Sequence, residues 1–308
     1  MIEIKNFTKT YGPLVAVNDL TFTIPARQIC GFIGPNGAGK STTIRFLATL
    51  SKATAGDGWI DGLSVTRQPQ AVRRIIGYMP EEFGVYDGMR VWEYIDFFGA
   101  AYGIKAAERG RIVEDVLQLV ELTHKRDDYV RGLSRGMKQR LCLAKSLVHN
   151  PQVLILDEPA SGLDPRARIE MKELLKQLRT MGKTILISSH ILSELADLCD
   201  TVAIIERGKL LAHGAIREIG KKLRENRLLE IRLPETSPAL AEILTQDPNV
   251  IEFQELGGLY NVNFAGGNEA IVALNQKAIL AGVPVITIRE LETDLEEMFM
   301  RITTGAVQ

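Results

Sequence analysis

Gly34-Pro35-Asn36-Gly37-Ala38-Gly39-Lys40-Ser41-Thr42 follows the apolar run Gln28–Ile33 and leads into a helical pattern from about Lys40 to Leu50. Residues 34–41 match G-x-x-x-x-G-K-[ST], a pattern that has chemical meaning when a strand precedes it and a helix follows. The glycines let backbone N–H groups wrap an anion, and the helix N-terminus adds positive potential. In such a loop Lys40 is expected to reach the β- and γ-phosphates of a nucleotide and Ser41 to ligate Mg²⁺. A turn that carried Lys-Ser by coincidence would lack the strand–helix frame.

Further along, Val153-Leu154-Ile155-Leu156 ends in Asp157-Glu158-Pro159, and Thr184–Ser188 is a second short apolar or β-branched run. Apolar strands alternating with helical segments indicate an α/β fold with a mostly parallel sheet covered on both faces. Strands of such a sheet deliver polar residues to their C-terminal ends, where ligands bind. Asp157 is thereby expected to hold Mg²⁺ through water, and Glu158 to act as general base on the attacking water. Two earlier strands, Ile2–Phe7 and Leu20–Ile24, flank turn chemistry at Tyr11-Gly12-Pro13. Residues 82–150 are mainly helical in pattern, with apolar spacing in Ile112–Leu119 and Leu141–Val148, and form a helical lobe.

Beyond residue 220 the character changes. Residues 221–308 carry 8 basic and 13 acidic side chains, a balance of −5 against +4 for residues 1–220. Leu228–Leu233, Val250–Phe253, Leu259–Phe264 and Val283–Ile288 pattern as strands, and Pro238–Leu244 and Glu269–Leu280 as helices. Gly257-Gly258 marks a hairpin. The β-α-β-β-α-β order is ferredoxin-like. A last helix is expected from Thr293, where Thr293-x-x-Glu296 has capping-box spacing and Leu295, Phe299 and Ile302 form an apolar stripe. Two domains follow, 1–220 and 221–308, the second a small α+β accessory unit.

Composition excludes several classes. The 308 residues have a net charge of −1, giving no support to polyanion binding, and no nucleic-acid partner is expected. Cys30, Cys142 and Cys199 are widely spaced, against a disulfide framework or zinc site and in keeping with a reducing compartment. No apolar run reaches the roughly 18–20 residues of a bilayer span, and the opening MIEIKNFTKTYG has no signal-peptide pattern.

The segment Leu133-Ser134-Arg135-Gly136-Met137-Lys138-Gln139-Arg140 resembles the ABC-family signature L-S-G-G-x-x-Q-R, and the remaining motifs follow in that family's order. The resemblance covers about residues 1–220. It implies a P-loop NTPase fold of the ABC type, ATP and Mg²⁺ as ligands, ATP hydrolysis, and a homodimer or heterodimer with two shared ATP sites. Ser134 and Gly136 would then meet the γ-phosphate bound by the opposite subunit. Tyr11 resembles the aromatic that stacks on adenine. Ser161-Gly162-Leu163-Asp164 is similar to the D-loop at the dimer interface. His190 resembles the switch histidine that contacts the γ-phosphate. Read without the family, Ser134 is a helix cap and a lone histidine at a strand end is structural.

Two positions depart from the family pattern. Glu81, in Ile76-Gly77-Tyr78-Met79-Pro80-Glu81, stands where Gln is usual, a residue that touches Mg²⁺ and water and couples to the membrane partner. Arg135 replaces the first signature glycine, so its side chain must turn away from the phosphates or add charge there. Both variants and the C-terminal extension resemble ATPase subunits of drug- and polysaccharide-export systems, including the daunorubicin-resistance type. The implied function is an ATPase subunit that powers an exporter through a separate transmembrane permease, at the cytoplasmic face of the membrane. Eight of the 19 aromatic residues fall within 78–102, as lobe core or, for Phe83, Tyr86 and Trp92, as a groove for a permease helix. The alternative is a soluble ABC ATPase in an assembly, nucleic-acid or ribosome-associated role. A single phosphate loop and the lack of heptads count against the nucleic-acid and ribosome versions.

Overall fold

The computed structural model describes residues 1–82, 84–190, 195, 197–216, 218–219 and 227–291. Two compact units divide the chain, Met1–Ile216 and Arg217–Thr304. The first unit begins with strands β1 (Ile2–Tyr11) and β2 (Leu14–Ile24), then β3 (Ile29–Ile33) and helix α1 (Lys40–Leu47). It continues through β4 (Ala55–Ile60), β5 (Leu63–Ser64), α2 (Pro69–Ile75) and β6 (Ile76–Met79). The helical lobe holds α3 (Val91–Ala101), α4 (Ala106–Leu119) and α5 (Arg135–Leu147), and β7 (Val153–Leu156), α6 (Pro165–Thr180), β8 (Thr184–Ser189), β9 (Thr201–Glu206) and β10 (Lys209–Ala215) complete the unit.

One sheet is antiparallel, in the order β2-β1-β4-β5; the other runs β10-β9-β3-β8-β7-β6. Within the second, β9, β3, β8, β7 and β6 are parallel, and β10 is an antiparallel edge. Strands β3, β7 and β8 are buried at every residue, which explains the apolar runs of β3 and β7 and of Ile185–Ile187 in β8. Helix α1 contributes Ile44, Phe46 and Leu47 to a core that includes Ile2, Phe7 and Leu20 of the antiparallel sheet and Phe32, Ile155 and Leu186 of the parallel one. Phe46 stacks on Phe7 with ring centroids 4.1 Å apart. Each fully buried side chain of this size stabilises by about 1.5–3 kcal/mol, so the helix behind the phosphate loop is fixed from both sides.

The expected extension of this helix to Leu50 does not form. Thr49 turns left-handed at φ +63° and ends it. The N-terminal strands are longer than their hydrophobic alternation indicated and meet at a hairpin where Gly12 adopts φ +57°.

The second unit contains β11 (Arg227–Arg232), α7 (Pro238–Gln246), β12 (Val250–Leu256), β13 (Leu259–Phe264), α8 (Asn268–Leu280) and β14 (Thr287–Glu290). Its antiparallel sheet runs β12-β13-β11-β14. Leu229, Ile231, Leu240, Tyr260, Phe264 and Leu274 build a core of its own. The final strand starts four residues later than the expected Val283. Pro284 has no N–H for a ladder, and Val285 N–H bonds back to the Val283 carbonyl at 2.9 Å. The expected helix from Thr293, with Glu296, Leu295, Phe299 and Ile302, lies outside the described residues, as do Gly220 and Phe83.

A chain truncated after Ile219 is expected to melt cooperatively and stay soluble, because the second unit supplies a separate core. Circular dichroism against temperature checks this; an insoluble product would place the domain boundary elsewhere.

Candidate functional site

The parallel register assembles the site. Ile33 lies opposite Ser189 and Leu156 opposite Ile187. The chain therefore leaves β3 into the Gly34–Gly39 loop, β7 into Asp157-Glu158 and β8 into His190 at one edge of the sheet. Two glycines of the loop are required by geometry. A Cβ at Gly34 would collide with the Ile205 carbonyl. Gly39, the N-cap of α1, has φ +105°, and a Cβ there would lie 2.7 Å from the Ala16 carbonyl.

An open cavity of about 280 Å³ lies over this loop. Tyr11, Pro35, Asn36, Gly37, Gly39, Lys40, Ser41 and Thr42 line it, and Glu81 and Glu158 close it. Nine-tenths or more of Lys40, Asp157 and Glu158 is buried. Lys40 Nζ donates to the carbonyls of Gly34 at 2.6 Å and Pro35 at 3.3 Å, and lies 3.9 Å from Glu158 Oε1. Burial lowers its pKa from the ordinary lysine value, and the charges of Glu158, Asp157 and Glu81 partly offset that. Glu81 is exposed on the cavity wall. Its charge raises the Lys40 pKa, after those of Glu158 and Asp157, at the position where Gln was expected.

Behind the loop, Ser41 Oγ donates to Asp157 Oδ1 at 3.4 Å. Glu158 sits in the left-handed region at φ +49°, which is uncommon for a non-glycine residue. Its Oε2 contacts His190 Nδ1 at 2.9 Å. The half-exposed ring of Tyr11 has Lys9 Nζ over it at 4.8 Å.

Ser134, Gly136 and Asp164 do not line this cavity. Ser134 caps α5, accepting from Met137 N–H at 3.3 Å, and Asp164 caps α6, accepting from Ala167 N–H at 2.9 Å. Gly136 packs toward Leu163 and Ala167. Arg135 turns onto the following loop of its own chain: Nη2 donates to the Ser161 carbonyl at 3.3 Å, and the guanidinium covers Gly162. Ala38, though within the motif, is buried and shapes the loop from inside.

Sequence reasoning missed Ser188, whose hydroxyl donates to Asp157 Oδ1 at 2.7 Å and accepts from Glu158 N–H at 2.9 Å. It also missed Gln139, which donates to the Pro159 carbonyl from the signature helix. Ser188 at the polar end of an apolar strand was the available signal. Of the three residues expected to line an aromatic groove, Phe83 lies outside the described residues. Tyr86 clusters with Tyr94, Phe97 and Phe98 at ring distances of 5.8–6.4 Å, whereas Trp92 has Arg126 over its ring at 5.5 Å.

Comparison with known proteins bears on this arrangement. Residues 17–161 match the family described as ABC transporter. The bacitracin transport ATP-binding protein BcrA of Bacillus licheniformis is 34% identical over 307 residues, covering 99% of this chain and 98% of its own. Nod factor export ATP-binding protein I of Burkholderia lata is 33% identical over 307 residues, covering 100% of this chain and 98% of its own. A solved ATP-binding subunit of an ABC transporter aligns with a TM-score of 0.66 and 30% identity over 72% of this chain and 92% of that one. A dimeric ATP-binding cassette in a post-hydrolysis state, bound to ADP and Pi, aligns with a TM-score of 0.64 and 25% identity over 70% of this chain and 99% of that one.

Lys40→Ala is expected to abolish ATP binding or turnover, since among the described residues no other cation is placed among the loop carbonyls; calorimetry with ATP–Mg²⁺ and a phosphate-release assay check it. Glu158→Gln keeps the shape of the site but removes the carboxylate expected to act as base. Its hydrolysis rate should fall roughly 10²–10⁴-fold while ATP binding persists and ATP-bound dimer accumulates in gel filtration.

Proposed function

This chain belongs to the ABC transporter family as an ATP-binding and ATP-hydrolysing subunit, and from that premise we propose that it powers export through a separate membrane permease. The observation that carries the site assignment is the single cavity bounded by Tyr11, the phosphate loop, Glu81 and Glu158. Tyr11 offers a ring for adenine, and the loop amides with Lys40 take the β- and γ-phosphates. Glu158 accepts a proton from the attacking water, and His190 orients that carboxylate and the γ-phosphate.

The donor set fits Mg²⁺. Ser41 Oγ, the Asp157 carboxylate and Glu81 are hard oxygen donors, and Mg²⁺ uses one or two carboxylates with phosphates and water. When bound it supplies positive charge to the phosphate oxygens. The chain's own contribution is to hold Asp157 and Ser41 together at 3.4 Å and to keep Glu158 beside them.

Ser134, Gly136 and Asp164 stand apart from the cavity, which supports their use on a second copy's nucleotide. The solved dimeric cassette supports a pair of subunits. In a homodimer the complete motif set would make two competent sites. Export is supported by relatives named for bacitracin transport and Nod factor export, which match this chain from end to end. No described helix is long and apolar enough to cross a membrane. On this proposal the subunit sits at the cytoplasmic face, and the permease docks where Tyr86 and Phe97 are exposed beside Phe98.

Affinity purification of the full chain from detergent-solubilised host membranes is expected to recover a multi-span permease, and ATPase activity should rise in the complex. Tyr86→Ala with Phe97→Ala should lose the permease and retain ATP binding. Wild-type chain that recovers no membrane protein and turns over independently of membranes would favour the soluble alternative.

A further inference from the structure

We propose that Ser188 is a positioning residue for ATP hydrolysis, its one hydroxyl setting both the metal-side carboxylate of Asp157 and the backbone of the base Glu158. The inference rests on the function proposed above and adds to it a residue outside the phosphate loop, the acidic strand end and the switch histidine.

Ser188 is fully buried on β8. A hydroxyl in such a place requires partners, and a serine has one proton to give and lone pairs to accept with. Both of its bonds go to the site. The proton goes to Asp157 Oδ1 at 2.7 Å, and the oxygen accepts from Glu158 N–H at 2.9 Å. The strand register makes this possible, since Leu156 pairs with Ile187 and the next residues on each strand, Asp157 and Ser188, come together.

Two consequences follow for the reacting geometry. Glu158 is left-handed at φ +49°, and the bond from its N–H to Ser188 anchors the residue in that conformation. The carboxylate is thereby held where it meets His190 Nδ1 at 2.9 Å and stands 3.9 Å from Lys40 Nζ. The second consequence concerns Asp157. Its Oδ1 receives two hydroxyls, a short bond from Ser188 and a long one of 3.4 Å from Ser41. If Ser41 is drawn toward a metal, the Ser188 bond remains and keeps Asp157 from rotating. An aliphatic residue would fill β8 equally well, as Ile185, Leu186 and Ile187 do, but would leave Glu158 N–H and Asp157 without this link.

Purified full-length wild type, Ser188→Ala, Ser188→Thr and Ser188→Cys are compared by ATPase rate against ATP and against Mg²⁺, by ATP binding and by thermal melting. Ser188→Ala should lower kcat roughly 10–100-fold, the worth of a hydrogen bond to a charged group. It should raise the Mg²⁺ concentration for half-maximal rate and leave KM for ATP unchanged. Ser188→Thr retains a hydroxyl on a β-branched frame suited to a strand and should restore most of the rate. Ser188→Cys keeps the size with a weak donor and should stay slow while melting like wild type. Wild-type kcat and Mg²⁺ dependence in Ser188→Ala would overturn the inference. So would a rate loss that tracks lost ATP binding and melting temperature while Ser188→Cys remains fully active. A wild-type chain that hydrolyses no ATP would overturn the proposed function itself, and the role of Ser188 with it.

Discussion

The structure depends on placing one buried ammonium among carboxylates at the end of a parallel sheet. Lys40, Asp157 and Glu158 are almost entirely withdrawn from water, and buried charge is costly unless it is paired. The pairing is incomplete in one direction. Lys40 faces three carboxylates, those of Glu158, Asp157 and Glu81, whose charges raise its pKa against the effect of burial. A nucleotide adds further negative charge, and its phosphates would be repelled by these carboxylates without an accompanying divalent cation. On the proposed function this charge balance suits a metal–nucleotide complex, and the Glu81 carboxylate, standing where Gln was expected, would add to the need for the cation.

Much of this could be read from the sequence because the information is local. The loop from Gly34 to Ser41 has a fixed spacing, and β3 and α1 flank it as expected. The run Val153–Leu156 is recovered to the residue because burial on both faces favours an unbroken apolar run there. The hairpin at Gly257-Gly258 and the order of elements in the second unit were legible for the same reason. Pro284 delayed the final strand by removing a ladder donor, an effect that hydrophobic patterning alone does not show.

What was not legible depends on register between strands far apart in sequence. Ser188 interrupts an apolar strand only by its polarity, and nothing local says that Asp157 stands beside it. The direction of Arg135 is also a tertiary result. The sequence required the guanidinium to avoid the phosphates or add charge there, and it found the Ser161 carbonyl and the open surface of Gly162 instead. Ser134 and Asp164 illustrate a third case. Both are helix caps within their own chain, and a capping role leaves their part in a shared nucleotide site to be decided between two copies.

The contacts of α5 tie that second face to the first. Its N-terminal turn sets Arg135 on the loop after Glu158, while Gly136 allows close approach to Leu163 and Ala167. One turn further along, Gln139 donates to the carbonyl of Pro159, the residue next to the base, and Arg140 pairs with Glu170 on α6 and with Glu121 at 3.0 Å. Apart from the Glu121 pair, these contacts join residues 135–140 to residues 159–170. This polar seam ties the start of α5 to the segment after Glu158, and separating it would leave the buried Gln139 amide N–H without the carbonyl it serves. On the proposal that a second copy engages Ser134 at the tip of α5, that engagement would bear on the segment next to Glu158 through the Arg135 and Gln139 contacts to the Ser161 and Pro159 carbonyls.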